Sequence, residues 1–128
     1  MYTGYFAKLK TYIDAGLVPV SICGKAPDWY EGFQYKSLAP KWSFFNEWKN
    51  GTEHKGDNEY YVQHFNDEVL KGRSWIQTMA DLQRITGIMD DLDKIILICY
   101  EKPSDFCHRH LVAKWLTENG INCEEFPV

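Results

Sequence analysis

No apolar stretch in this chain is longer than a strand needs. The longest, Ile95 to Cys99, is far short of the roughly 20 residues of a membrane-spanning helix, and the N-terminus carries no apolar segment of signal-peptide type. Neither a membrane span nor a membrane partner is therefore expected. An excess of positive charge is lacking as well: 14 Lys and Arg stand against 18 Asp and Glu, a net charge of −4. Non-specific binding of duplex nucleic acid rests on neutralising phosphates, so duplex is not an expected partner. Lysine does outnumber acid within the first 49 residues, which leaves room for a local phosphate-binding patch. Cysteine is sparse. The four, at positions 23, 99, 107 and 123, lack the regular spacing of a secreted disulfide scaffold, and the expectation is free thiols in a reducing, cytoplasmic compartment. Repeats and linkers rich in Ser, Pro or charge are absent, so 1–128 reads as a single domain.

Aromatic residues, by contrast, are abundant: 8 Tyr, 7 Phe and 5 Trp in 128 residues. A domain of this length buries about two thirds of its unfolded surface and needs no staples. So many rings leave several to line a cleft or an interface.

Segment patterns indicate an α/β fold. The opening MYT suits a short strand, and Phe6, Leu9 and Ile13 fall at helical spacing before Gly16. The β-rich run 17–23 contains Pro19, which argues for an edge position or for the strand's first residues because proline removes a ladder donor. Residues 24–40 have turn formers and no period, and loops of that length in a compact domain are usually functional. Helices follow from Pro40 through WSFFNEWKN, from Asp57 to Leu70, and from Ser74, whose pairing with Gln77 is a capping-box pattern. KIILICY is a strand buried on both faces, CHRHLVAKWLTENG a helix and INCEEF a last strand. The expected architecture is a small three-layer, Rossmann-like domain: three or four mostly parallel strands, 95–99 in the interior, and helices on both faces.

The chemistry-bearing stretch is CYEKPSDFCHRH, 99–110, at the strand-to-helix edge where open α/β sheets bind ligands. A helix start holds anions and lowers a cysteine pKa. Cys107 is the candidate nucleophile. Arg109 is a fork for carboxylate or phosphate, and His108 is a proton carrier near neutral pH. Neighbours on a helix point about 100° apart, so the three are not expected all to face one ligand. The bland readings stand beside these: Cys107 as a buried thiol, Cys99 as strand packing, Arg109 as a loop clamp on Glu101 or Asp105. Zinc is the weaker claim on Cys99, Cys107 and a histidine, because no C-x-x-C knuckle is present; no metal and no cofactor are expected. Trp29, Tyr30, Phe33 and Tyr35 either stack on a base or pin the long loop. His64, one helical turn from Tyr60 and Glu68, is explained by a solvated or half-buried helix face as well as by a site.

The C-Y-E strand end followed by C-H-R at a helix start, with T-G-Y-F-A-K-L at 3–9, P-V-S-I at 19–22, L-A-P at 38–40 and Y-x3-F-x3-V-L at 61–70, resembles the family catalogued as domain of unknown function 488 over nearly the whole chain. The resemblance implies site positions Cys99, Glu101, Cys107, His108 and Arg109, with Pro19, Ser21, Leu38 and Pro40 around a cleft. Family members often place a basic residue directly after S-I-x; here, after Ser21-Ile22-Cys23, Gly24 stands first and Lys25 follows. It implies a fold and a site location, and carries no activity. The functional expectation is a protein that binds a small anionic, nucleotide-like molecule at the strand-to-helix edge through Arg109, His108, Glu101, Cys99 and Lys25, and acts on it through Cys107 if it is an enzyme. The alternative is a non-catalytic module for protein or single-stranded nucleic acid built on the aromatic loop.

Overall fold

The computed structural model describes residues 1–128. Five strands, β1 (Tyr2–Tyr5), β2 (Val18–Ser21), β3 (Phe33–Gln34), β4 (Ile95–Cys99) and β5 (Glu124–Glu125), form one sheet in the order β3-β2-β4-β1-β5. Every pairing is parallel. Five helices, α1 (Leu9–Asp14), α2 (Trp42–Asn50), α3 (Asn58–Phe65), α4 (Trp75–Thr86) and α5 (His108–Glu118), cover it. The α/β architecture is thus as the sequence patterns indicate, with one strand more than expected: β3, only two residues long, lies within the 24–40 segment read as a loop. No helix is long and apolar enough to cross a membrane.

Strand β4 lies at the centre, and all five of its residues are buried. Side chains alternate across a sheet, and here Ile95 and Leu97 enter the larger of two apolar clusters while Ile96 and Ile98 enter the smaller. The larger contains Phe44 of α2, Tyr61 and Phe65 of α3, Met79 and Leu82 of α4, and Val112 and Leu116 of α5; the smaller contains Tyr12 of α1. Each fully buried Ile or Leu contributes about 1.5–3 kcal/mol, so an uninterrupted apolar strand is the sequence's strongest single commitment to this fold. Gly4 of β1 lies against the Tyr12 ring, where any Cβ would fall within 2.7 Å of ring atoms. That close approach lets the Tyr12 hydroxyl accept from the Tyr5 amide at 3.1 Å.

Of the two places open to Pro19, the structure shows the second: it is among the first residues of β2, which sits between β3 and β4 rather than at an edge. The register supplies the reason. β3 pairs only with Val20 and Ser21, so Pro19 stands beyond its end, where its missing N–H leaves no ladder bond unmade. The expected helix ending at Leu70 is α3 continued by a wider π turn over Asn66–Leu70. Ser74 caps α4, accepting from the Gln77 amide at 3.1 Å.

Candidate functional site

Strand β4 ends at Cys99, a short turn follows, and Cys107 is the N-cap of α5 with an extended backbone (φ −156°, ψ 142°). Because Cys107 is extended rather than helical, the 100° rule for helix neighbours does not govern it. Its sulfur and the His108 ring turn to the same side, with Sγ and Nδ1 4.0 Å apart. Cys99 and Cys107 are joined as a disulfide. The expectation of four free thiols is thereby corrected: the strand end and the helix start converge in space, a proximity that their separation along the chain does not reveal. Cys23 and Cys123 are the free pair, both buried. Burial pushes the Cys23 thiol up to about 12 and that of Cys123 up to about 11, so neither ionises readily near neutral pH.

His108 is buried, and its Nε2 lies 2.7 Å from the Ile22 carbonyl oxygen. A carbonyl only accepts, so Nε2 carries the proton and Nδ1 is the acceptor facing Cys107. Burial, with Arg109 nearby as a lesser cause, pushes its pKa down to about 4. At neutral pH the imidazole is uncharged and oriented by β2, a hydrogen-bonding base rather than a cation.

Of its two readings, Arg109 takes the part of the clamp and not that of the ligand-binding fork. Its side chain is fully buried, and its fork closes on the Glu125 carboxylate through Nε and Nη2, each at 3.0 Å. Nη1 donates to the Glu101 backbone carbonyl and to Cys99 Sγ, the latter at 3.3 Å. Glu125 is fixed in turn by the Thr3 hydroxyl at 2.7 Å. The guanidinium is a clamp joining α5, β4 and β5, and no edge of the fork is left for an external anion. The clamp's carboxylate is neither Glu101 nor Asp105 but Glu125, which the acidic pair ending β5 offered without any local spacing to mark it.

On the other side of the helix start lies a cavity of about 790 Å³, within the range of small-molecule sites. Cys23, Cys99, Cys107 and His108 meet it at the protein end, Trp42, Phe45, Trp48, Tyr61, Tyr100 and Phe106 supply its aromatic walls, and Lys25, Lys49 and Glu101 its charges. The walls are locked together: Trp48 packs on Tyr61 and Phe106 at centroid distances of 5.1 and 5.7 Å, and Tyr61 meets Phe106 edge-on at 4.9 Å. Trp42 is 69% exposed. The Tyr100 hydroxyl donates to the Lys25 carbonyl at 2.6 Å, tying the 24–26 turn beside the opening. Desolvation raises the Glu101 pKa against the opposing pull of Arg109.

Of the expected site residues, Lys25, Cys99, Glu101, Cys107 and His108 do meet at one cavity, and Arg109 does not. Pro40 lines it, whereas Pro19, Ser21 and Leu38 do not. The wall from α2, with Lys49, is what sequence reasoning missed. Trp42, Phe45 and Lys49 recur at helical spacing, a stripe readable as core until the cavity gives it another purpose. The aromatic loop divides: Tyr30 and Tyr35 are buried pins whose hydroxyls donate to Phe33 O and Asp81 Oδ2, both at 2.7 Å, while Trp29 and Phe33 stay exposed. His64 pairs with Glu68 on the face of α3, away from the cavity. A smaller polar cavity of about 410 Å³ surrounds Arg73, which donates to Val69 O, Ser37 and Thr78 and so serves the fold.

No curated protein and no solved structure matches the chain. A family profile does, over residues 12–120, which takes in β2, β4, the C-H-R helix start and the whole aromatic wall: the chain belongs to the DUF488 family, within the group described as the active DUF488-N3 subclade.

Proposed function

We propose that the protein binds a small, anionic, nucleotide-like molecule in the aromatic cavity and, when Cys107 is reduced, reacts with it through that sulfur. The carrying observation is the composition of the cavity: six aromatic side chains, two lysines and the Cys107–His108 pair around one space of about 790 Å³. A planar ring fits between aromatic faces, whose stacking is worth about 1–3 kcal/mol per base. Lys25 and Lys49 attract the anionic part, a task that falls to them because Arg109 is occupied. The start of α5 adds its positive dipole end to Cys107 and favours the thiolate. Neutral His108 presents Nδ1 to that sulfur and can accept its hydrogen bond. A reducing, cytoplasmic setting would keep the thiol available.

Thermal shift with nucleoside monophosphates, the matching nucleosides and phosphorylated sugars tests this reading. Nucleotides should raise the melting temperature most, through preferential binding to the folded state. Lys25→Ala combined with Lys49→Ala should remove the increment due to phosphate and leave the smaller nucleoside effect. Equal shifts in parent and double variant, or no shift with any of these molecules, overturn it. The non-catalytic reading rests on exposed Trp29 and Phe33, a surface suited to protein or single-stranded nucleic acid. It is favoured if Trp29→Ala abolishes binding of a single-stranded oligonucleotide while Trp42→Ala does not.

A further inference from the structure

A disulfide is not needed for stability in a domain of this size. The chain is long enough to bury a sufficient core without one, and cytosolic disulfides are as a rule transient, either catalytic or redox-sensing. The Cys99–Cys107 pair is only eight residues apart in sequence, so the loop it closes constrains the unfolded chain less than a long one would. Its surroundings suit exchange better than stapling. Both sulfurs meet the cavity, but Cys107 is 7% exposed and Cys99 1%. A guanidinium nitrogen lies 3.3 Å from Cys99 Sγ, and the fork that aims it is fixed by two bonds to Glu125. Cys107 has no such cation; it has a helix start and the uncharged His108.

We propose that Cys99 and Cys107 form a reversible dithiol–disulfide centre that exchanges with small thiols entering through the aromatic cavity, Cys107 being the exchanging sulfur and Cys99 the leaving thiolate. An incoming thiolate attacks Cys107 Sγ; the new S–S bond forms as the Cys99–Cys107 bond breaks, and the electron pair departs on Cys99 beside Arg109. A second thiolate of the same kind attacks the incoming sulfur, releasing a small disulfide and leaving Cys107 as thiolate. The pair gains two electrons, and the two external thiols lose them. A low-pKa leaving thiolate speeds the first step, so Arg109 acts as a positioning and charge-stabilising residue for Cys99. The inference shares the open cavity with the reading above and uses none of its ligand preferences.

The probes are dithiothreitol as reductant and hydroxyethyl disulfide as oxidant, followed by intact mass and peptide mapping. Reduced parent protein should reoxidise to the Cys99–Cys107 disulfide without retaining the probe. In Cys99→Ser the mixed disulfide should accumulate on Cys107, at a rate roughly tenfold or more above that of Cys99 in Cys107→Ser. Arg109→Gln joined with Glu125→Gln removes both buried charges together, and its fold is checked by circular dichroism. It should slow reduction of the disulfide and raise the pH at which thiolate absorbance appears in a Cys107→Ser background; Cys107→Ser alone supplies the reference titration. Parent protein that remains dithiol in excess hydroxyethyl disulfide overturns the proposal, as does equal labelling of Cys99 and Cys107 in the two single variants. If the folded charge-pair variant shows unchanged reduction and titration, the role of Arg109 is lost. Nucleotide binding is read separately by thermal shift, so failure of exchange with that shift intact sinks the redox centre alone.

Discussion

Cys107 and Arg109 are two residues apart, and the difference between their surroundings divides the labour of the site. On the Arg109 side every nitrogen of the guanidinium is engaged, the partner carboxylate is itself hydrogen-bonded, and the arginine is fully buried. On the Cys107 side the helix start meets a cavity walled by rings, with lysines exposed at its edge. The C-H-R motif thus faces two ways. Its arginine holds the strand ends together, its histidine is fixed by the Ile22 carbonyl just past β2, and its cysteine lines the cavity. Satisfaction of polar groups, rather than residue type, separates the closed side from the open one: the most strongly anion-seeking side chain in the motif is unavailable because the fold supplies its anion internally.

The largest expected effect comes from breaking the closed side. Arg109→Ala leaves Glu125 as an unpaired carboxylate in a partly buried place, and removing one partner of a buried pair typically costs about 3–5 kcal/mol. Denaturant unfolding should show the loss in the midpoint, and Glu125→Ala should be similarly damaging because it strands the fully buried guanidinium. A loss under about 1 kcal/mol for both would mean that the clamp is not the structural half of the junction.

Next in size is an acid sensitivity set by His108. Its folded pKa, about 4, lies below the ordinary value of 6.5, so between those pH values the unfolded chain binds the proton more readily. The contribution to stability is therefore fully present above about pH 6.5 and is lost as pH falls through the window towards 4. A shift of this size corresponds to roughly 3 kcal/mol. His110, also lowered by burial, acts in the same direction, so the informative quantity is the difference between parent and His108→Gln, whose amide can still donate to the Ile22 carbonyl. The variant's stability should change less between pH 6.5 and 4; parallel pH curves would contradict the buried neutral imidazole.

These contrasts also mark what was legible in the sequence. The apolar run of β4, the Ser74 cap and the position of C-H-R at a helix start are local signals, and local signals determine local structure. Pairings over long separations left no comparable trace. Glu125 reaches Arg109 because β5 docks beside β1, and the α2 stripe becomes a wall because α2 and α3 lie over the carboxyl end of the sheet, where Trp48 meets both Tyr61 and Phe106. Nothing within a turn or two of Arg109 distinguishes a clamp from a ligand-binding fork. Pro19 was legible only as a pair of alternatives, an edge or a strand start; that it stands near the start of β2, beyond the end of a two-residue β3, is disclosed by the register.

The smallest effect on stability is expected where the effect on binding is most specific. Lys49 is exposed, with its ammonium 5.7 Å from the Phe45 ring centroid at the edge of the cavity. Exposed positions free of buried partners usually change stability by no more than about 0.5 kcal/mol, and an exposed cation–π contact adds about 0.5–1 kcal/mol at most. Lys49→Ala should therefore unfold within about 1 kcal/mol of the parent. The same change removes one of the two cationic groups available to an anion and leaves the nearby Glu101 carboxylate less compensated, since Lys49 is among the charges that lower its pKa. Affinity for a nucleoside monophosphate should fall several-fold, more at low ionic strength than at high, because an exposed charge is screened by salt. Isothermal titration at two salt concentrations reads both features. Stability loss comparable to that of Arg109→Ala would erase the distinction between the two sides of the junction, and unchanged affinity at low salt would remove Lys49 from the open one.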